Sequence, residues 1–287
     1  MEDSLVTTVI LPLCLAITMF GIGLGLAIRD FHLLVERPRP VFAGLAAQML
    51  YLPLVGVLIG LVIFDFPSAL IGAGFVIITL APGSSTSNLF TLFAKGDLAL
   101  SVTLTAITSL LAPFWLPLAA SIILNNIDAA QNIELDVVKV FIDLFSVTII
   151  PIIIGMIIKH YYPTLASKLQ KPVATFALVF LVLIIIALII KHLDILRDYT
   201  AIIAPAILLL AILAYGGGYL IARLTATTPA QVKSISMEVG IQNAALALLV
   251  TASILKIPEM TLAAMFYGLA MYIIGFISVA LFNRRNA

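Results

Sequence analysis

The sequence predicts an all-α polytopic membrane protein with nine transmembrane helices. Three observations carry this reading. The 287 residues are 63% hydrophobic and 10% charged, with a mean hydropathy of +1.23. No soluble domain of this size hides so much apolar surface. The apolar residues also fall into nine segments of about 20 residues, the length that a bilayer demands of a helix. The longest polar connection, Asn125 to Asp136, is only 12 residues. In lipid, backbone groups must bond within their own segment, so spans of this length are helices.

The spans can be justified in order. Leu5–Ile28 carries the run Gly21-Ile22-Gly23-Leu24-Gly25; it has no preceding strand, so the glycines read as close helix packing rather than a nucleotide loop. The residues before it, Met-Glu-Asp-Ser, lack the positive region of a cleaved signal peptide. Val41–Phe64 holds one strong polar group in its core, Gln48. Ala69–Phe93 is interrupted near its middle by Ala81-Pro82-Gly83-Ser84-Ser85-Thr86-Ser87-Asn88. Leu98–Leu124 opens after Asp97, a helix cap, and places Ser101 and Thr105 four apart on one face. Val137–Ile158 carries Lys139 and Asp143, also four apart, read as a structural pair near the outer face. Val173–Ile190 is uniformly apolar. Ala201–Leu224 contains Gly216-Gly217-Gly218, a packing surface or a flexible point. Val232–Leu255 follows Thr228-Pro229, the cap-then-proline order of a helix start, and is interrupted at Glu238-Val239-Gly240-Ile241-Gln242-Asn243. Met260–Phe282 completes the set.

Lysine and arginine placement sets the orientation. With the N-terminus outside, the inner loops hold Arg29, Arg37, Arg39, Lys95, Lys159, Lys168, Lys171, Arg223, Lys233, Arg284 and Arg285. The outer loops hold Lys191, Arg197 and Lys256. Eleven against three favours N-terminus out and C-terminus in, and the Asn125–Asp136 loop is acidic. Tyr161, Tyr162 and Tyr199 fall at interfacial depth. Net charge is +1, which gives no reason to expect nucleic-acid binding. The single cysteine, Cys14, forms no internal disulfide, and His32, His160 and His192 fall in separate connections, which argues against a histidine metal cluster.

The two interruptions sit in antiparallel spans, the third and the eighth, each near mid-membrane and each followed by a long helix. That is the layout of an inverted repeat, spans 1–4 against 6–9 with the fifth as link. Pro82 lacks an amide hydrogen and Gly83 tolerates unusual angles. Taken alone they form a kink, with the hydroxyls bonding back to the chain; the matching break in the eighth span argues for a site instead. An unwound segment exposes carbonyl oxygens, and a hard cation such as sodium satisfies oxygens without needing sulfur. Glu238 lies near the bilayer centre, where an ionisable group marks an ion or substrate path by default. It can ligate a cation, stay protonated as a structural or proton-relay group, or find a basic partner. No lysine or arginine lies within the membrane core except Lys139, which is better placed for Asp143, four residues away. Gln242 shares a face with Glu238. Ser101 and Thr105 follow the tight turn Lys95-Gly96-Asp97, which brings them beside Ser87 and Asn88.

These stretches resemble the bile acid:sodium symporter family. The resemblance rests on Pro82-Gly83 through Ser87-Asn88, on Lys95-Gly96-Asp97 with Leu100-Ser101 and Thr105, and on Glu238 through Asn243. Met19 to Leu24, Ala47-Gln48 and Leu52-Pro53-Leu54 extend it over nearly the whole chain. The family includes ten-helix bacterial members, and the chain resembles these without their first helix. The resemblance implies a panel (about 5–28, 137–158 and 173–190) against a core (about 41–124 and 201–282), with the two broken helices crossing in the core. It implies two sodium ions, the first held by Ser87, Asn88, Ser101, Thr105 and Glu238. The second would be held by Gln48, Glu238, Gln242 and the carbonyls of Val239 and Ile241. Substrate would meet Ser85, Thr86 and Asn243. Many relatives read Pro-Gly-Gly-Thr where this chain reads Pro82-Gly83-Ser84-Ser85, so the substrate is left open among bile-acid-like, pantoate-like and keto acids.

The expectation is thus sodium-coupled symport of a small organic anion by alternating access, in a multi-pass protein of the bacterial inner-membrane type surrounded by lipid. Oligomeric state is not legible. The nearest rival is a proton-coupled or uncoupled anion carrier on the same fold. Arsenite export needs a thiol, and Cys14 lies away from both breaks. An intramembrane enzyme would need a nucleophile with a base, or a metal cluster, and none is visible. A channel fits two crossed breaks less well than an occluded site does.

Overall fold

The computed structural model of the chain describes residues 5–127, 135–191, 193–225 and 228–284. Most of the acidic loop, together with His192 and Arg285, lies outside these residues. Eleven helices account for the fold: α1 (Thr7–Gly25), α2 (Pro38–Ile63), α3 (Ala69–Leu80), α4 (Ser85–Phe93), α5 (Leu98–Leu124), α6 (Val137–Tyr161), α7 (Pro163–Lys191), α8 (Leu193–Leu224), α9 (Pro229–Gly240), α10 (Ala244–Ile254) and α11 (Pro258–Arg284). Among the described residues, α1, α2, α5, α6, α7, α8 and α11 are each long and apolar enough to cross a membrane, seven in all. The side chains that would meet lipid are apolar: Leu50, Leu54, Leu58 and Val62 recur at every fourth residue along one exposed face of α2.

Local chemistry explains the helix limits. Asp97 accepts from Leu100 N at 3.1 Å and so starts α5. Thr228 and Gln231 form a reciprocal capping box at the start of α9, with Pro229 in its first turn. Both starts are where the sequence places them. Helix α2 begins earlier than expected, at Pro38, because Pro38 and Pro40 suit a first turn whose amides have no partner. It widens to π-type turns at Ala47–Tyr51 and Leu58–Ile63. The first precedes Pro53, which cannot donate to the ladder, and carries Gln48. Helix α7 begins at Pro163, ten residues before the predicted Val173, and continues through Pro172. Lys168, Gln170 and Lys171 lower the hydropathy there without opposing a helix. His160 lies in the last turn of α6 rather than in a connection.

Helix α1 packs on α6 and α7, while α8 packs on α9 and α11, and α3 on α11 and α2. The glycine run in α1 is a contact surface. A Cβ at Gly23 would strike the backbone of Ile152, and one at Gly155 would strike α1 at Phe20–Leu24. Gly217 and Gly218 likewise admit Tyr51 and α9, and the α8 backbone remains helical through them.

One end of the bundle is tied by polar contacts between connections. Lys159 Nζ donates to Gly25 O at 3.1 Å, Asp97 N to Ala230 O at 3.2 Å, and Asn283 Nδ2 to Phe93 O at 3.1 Å. Arg37 and Asp97 form the only ion pair among the described residues, at 3.2 Å. The expected Lys139–Asp143 pair is therefore a correction. Lys139 is exposed, and both residues line an open cleft of about 560 Å³ at the opposite end of the bundle. Holding two solvated side chains together gains little there.

Candidate functional site

Between α3 and α4, and again between α9 and α10, the helical ladder stops for a few residues, and the two gaps meet. Pro82 has no amide to give Ile78, so the chain extends from Ala81 to Ser84 before Ser84 caps α4. In the second gap no proline is present. Here α9 ends at Gly240, where a Cβ would collide with the Tyr215 ring, and Tyr267 donates to Gly240 O at 2.9 Å. Asn243 Oδ1 then accepts from Leu246 N at 3.0 Å and starts α10.

The backbone groups orphaned by one gap are satisfied by the other. Gly83 and Gln242 form an antiparallel bridge. Asn243 N donates to Pro82 O at 2.8 Å and Ser84 N to Ile241 O at 3.3 Å. Gln48 Nε2, from α2, donates to Ala81 O at 3.1 Å. Two breaks that would each be costly alone therefore stabilise one another.

Beside this bridge lies Glu238, 1% exposed. Its Oε2 accepts from Ser87 Oγ at 2.6 Å and from Ser101 Oγ at 3.2 Å. Its Oε1 accepts from Thr105 Oγ1 at 2.6 Å. Ser87 and Thr105 are 3.3 Å apart. Thr91 donates to Ser101 Oγ at 3.1 Å, which leaves the Ser101 hydrogen free for the carboxylate. Each of the two closest hydroxyls also has a second acceptor in reach: Ser84 O for Ser87 at 2.7 Å, and Ser101 O for Thr105 at 3.0 Å. No lysine or arginine pairs with Glu238 among the described residues. Gly83 makes room for the group, since a Cβ there would collide with the Glu238 carboxylate.

On the far side of Gly83, Gln48 and Gln242 face each other and exchange amide hydrogen bonds of 2.8 and 3.1 Å. Gln242 Nε2 also donates to Val239 O at 2.7 Å. No hydrogen bond joins this pair to Glu238. The carbonyl of Ile241 is taken by Ser84 N.

Of the residues singled out in the sequence, Ser87, Ser101, Thr105 and Glu238 converge on one carboxylate. Gln48, Gln242 and Val239 form the second cluster, with Ile241 in the bridge beside it. Asn88 adjoins Ser87 on α4 and is not bonded to Glu238; its buried Oδ1 has no hydrogen-bond partner. Ser85, Thr86 and Asn243 line one small cavity, about 20 Å³, between the gaps and α1, α7 and α11. Asn243 Nδ2 is buried there without a hydrogen-bond partner.

Sequence reasoning missed Thr91, which orients Ser101, and missed Thr18, Ala174, Ala177 and Tyr272 in the cavity wall. Thr18 and Tyr272 are polar interruptions of their own apolar runs, a faint signal. Ala174 and Ala177 gave none.

Residues 12–199 match the Sodium Bile acid symporter family. The matched span includes Gln48, the first gap and the α5 hydroxyls; Glu238 to Asn243 lie beyond it and join the site through the geometry above. The chain is 32% identical over 232 residues to the uncharacterized sodium-dependent transporter YocS of Bacillus subtilis, covering 81% of this chain and 70% of that protein. It is 27% identical over 244 residues to the human ileal sodium/bile acid cotransporter (84% and 68%). It is 26% identical over 235 residues to the probable sodium/metabolite cotransporter BASS2 of rice chloroplasts, covering 82% of this chain and about half, 54%, of that protein. A membrane-embedded helical bundle, a pair of facing gaps and this match over more than half of the chain lead to one assignment: the chain belongs to the sodium bile acid symporter family of membrane transporters.

Proposed function

We propose that this protein couples the movement of sodium ions to uptake of a small organic anion, and that Glu238 is the residue through which the coupling runs. One observation carries the reading. A carboxylate buried at the centre of the bundle is surrounded by hydroxyl oxygens and has no basic partner. An unpaired buried charge is costly, and a small cation among the same oxygens would offset it.

The hydroxyls suit both occupancies. Without a cation, Ser87 and Thr105 donate to Glu238. With one, their hydrogens would turn back to Ser84 O and Ser101 O, which are already in reach, leaving their lone pairs and the carboxylate to face the ion. Asn88 Oδ1, buried and unpartnered, would complete this first set. The amide oxygens of Gln48 and Gln242, with the carbonyls of Val239 and Ile241, would hold a second ion. The Asn243 amide would meet the anionic group of the substrate beside Ser85 and Thr86 at the start of α4, where backbone amides and the helix dipole favour negative charge.

In this reading the chain crosses the membrane nine times. Two of the crossings are made by the short pairs α3–α4 and α9–α10, related as inverted repeats. A panel of α1, α6 and α7 faces a core of the remaining helices, and their relative movement exposes the 20 Å³ cavity to each side in turn. The basic end of the bundle, with Arg29, Lys95, Lys159 and Arg223, faces the cytoplasm of a bacterial cell, with the N-terminus outside.

Two sodium ions, one carboxylate and one monoanion sum to zero, so the fully loaded carrier should move more readily than one that holds both ions without substrate. The test is uptake of candidate bile acids, hydroxy acids and keto acids into proteoliposomes with sodium inside, outside or replaced by choline. Uptake that saturates and stops in choline is expected. Uptake that persists in choline and follows an imposed pH gradient would replace sodium by protons and overturn the reading.

A further inference from the structure

An open cleft whose residues play no part in the sodium and substrate reading lies at the basic end of the bundle, between α1 and α6. It is about 650 Å³ in volume. Its rim is polar: Arg29, Lys159, His160 and Tyr161. Its wall is apolar and turned outward, with Ile28, Ile153 and Ile157 all exposed. The wall runs back along two helices that are apolar enough to cross the membrane. A pocket serving a soluble anion would have no use for such a wall, and a plain lipid-facing groove would have no use for such a rim.

Charge on the rim is unbalanced. The nearest carboxylate, Asp30, accepts the amide of Ala27 at 2.8 Å and so closes its own turn. Lys159 commits one of its three hydrogens to Gly25 O. Arg29 is exposed. More positive charge lies close by, because Gln170 of α7 packs beside Gly25, and Lys168 and Lys171 are exposed on the same stretch of helix. The Tyr161 ring, edge-on to His160 with centroids 4.9 Å apart, is an amphipathic group at the depth where interfacial aromatics sit.

We propose that this cleft binds an anionic glycerophospholipid, its phosphate between Arg29 and Lys159 and one acyl chain along Ile28, Ile153 and Ile157. Basic pockets between membrane helices recognise headgroups in this way. The occupant would clamp the end of α1 against α6. The inference needs the chain to lie in a bilayer and is independent of which ion or substrate is carried.

The test uses the purified full chain in a neutral detergent, titrated with phosphatidylglycerol, with phosphatidylcholine of the same acyl chains, or with glycerol phosphate, and reads Tm. Phosphatidylglycerol should raise Tm and the other two should not. Arg29→Gln should move the phosphatidylglycerol titration to about fivefold higher lipid, the share of one cation at a membrane surface. Arg223→Gln, at a surface arginine bonded to Tyr219, should leave it in place. Equal effects of the two lipids would reduce the cleft to an apolar groove. An equal effect of glycerol phosphate would make it a site for soluble anions. An unchanged titration in Arg29→Gln would remove the headgroup contact, and each of these results overturns the proposal.

Discussion

Replacing Glu238 by glutamine separates the carboxylate's charge from its shape. The side chain keeps its length, and the structure provides for the change. Where the amide nitrogen replaces a carboxylate oxygen, the facing hydroxyl must stop donating. Ser87 can turn to Ser84 O at 2.7 Å and Thr105 to Ser101 O at 3.0 Å. Both are acceptors already in place, so Glu238→Gln should fold. With no cation present it should be at least as stable as the parent, since it removes a buried charge that has no basic partner.

Sodium should reverse that order. A unit charge about 4 Å from a cation contributes roughly 4 kcal/mol at an effective dielectric of about 20, or nearly three decades in Kd. At a sodium concentration about a hundredfold above Kd, one occupied site stabilises the parent by about 2.7 kcal/mol. For a chain of this size that corresponds to a Tm rise of roughly 4–5 °C. The same sodium should leave the Tm of Glu238→Gln unmoved. Thermal unfolding of both proteins in sodium and in choline at equal ionic strength supplies the assay. A variant that keeps the sodium-dependent rise would remove the carboxylate from the cation site, and with it the reasoning from buried charge.

Three further substitutions probe the surroundings. Gly83→Ala puts a methyl group against the Glu238 carboxylate; overpacking of this kind costs about 1–3 kcal/mol, and the sodium-dependent rise in Tm should vanish in a protein that still elutes as a single species. Asn243→Ser keeps an oxygen able to cap α10 and removes the unpartnered Nδ2; substrate-dependent stabilisation should be lost while the sodium effect stays, and the opposite order would refute the division between the two sites. Gly23→Val forces α1 off the Ile152 backbone; Tm should fall in sodium and choline alike, and an unchanged value would mean that α1 and α6 do not need close contact.

The clustering of Ser87, Ser101 and Thr105 on Glu238 was legible because polar side chains in a membrane interior find few partners except one another. Pro82-Gly83 and the Ser101–Thr105 pair have ordinary readings taken alone; a glutamate deep in an apolar span and a second interruption at matching depth are what set them apart. Facing pairs on a helix follow from its pitch. Their partners on other helices do not, and this is where the reading stopped. Thr91 was invisible because its hydroxyl donates to Ser101 Oγ and does not itself bond the carboxylate. The cavity wall at Ala174 and Ala177 is defined by the absence of bulk, which an apolar run conceals. Gly83 was read as a residue that relaxes the backbone. Its contact with Glu238 shows a second demand, space for a carboxylate from a segment 155 positions further along.

The same contact bears on how two ions and a substrate could be made to travel together. Ser84 contributes its amide to the bridge through Ile241 O, its carbonyl to Ser87, and its hydroxyl to Thr86 at 3.0 Å. Thr86 is in the cavity wall and Ser87 is on the carboxylate. A cation that drew the Ser87 hydrogen from Glu238 to Ser84 O would therefore alter the residue that orients Thr86, one position from the cavity. On the other strand of the bridge, Gln242 belongs to the amide pair and Asn243 to the cavity, again one position apart. In the proposed reading, ion and substrate ligands are sequence neighbours on both sides of a single short bridge, Thr86 and Ser87 at the start of α4 and Gln242 and Asn243 before α10. Ordering either strand for one would order it for the other, so a coupling free energy between the sites needs no long pathway. A relay of rearranged helices would be required only if sodium and substrate were found to stabilise the protein independently, their effects on Tm simply adding.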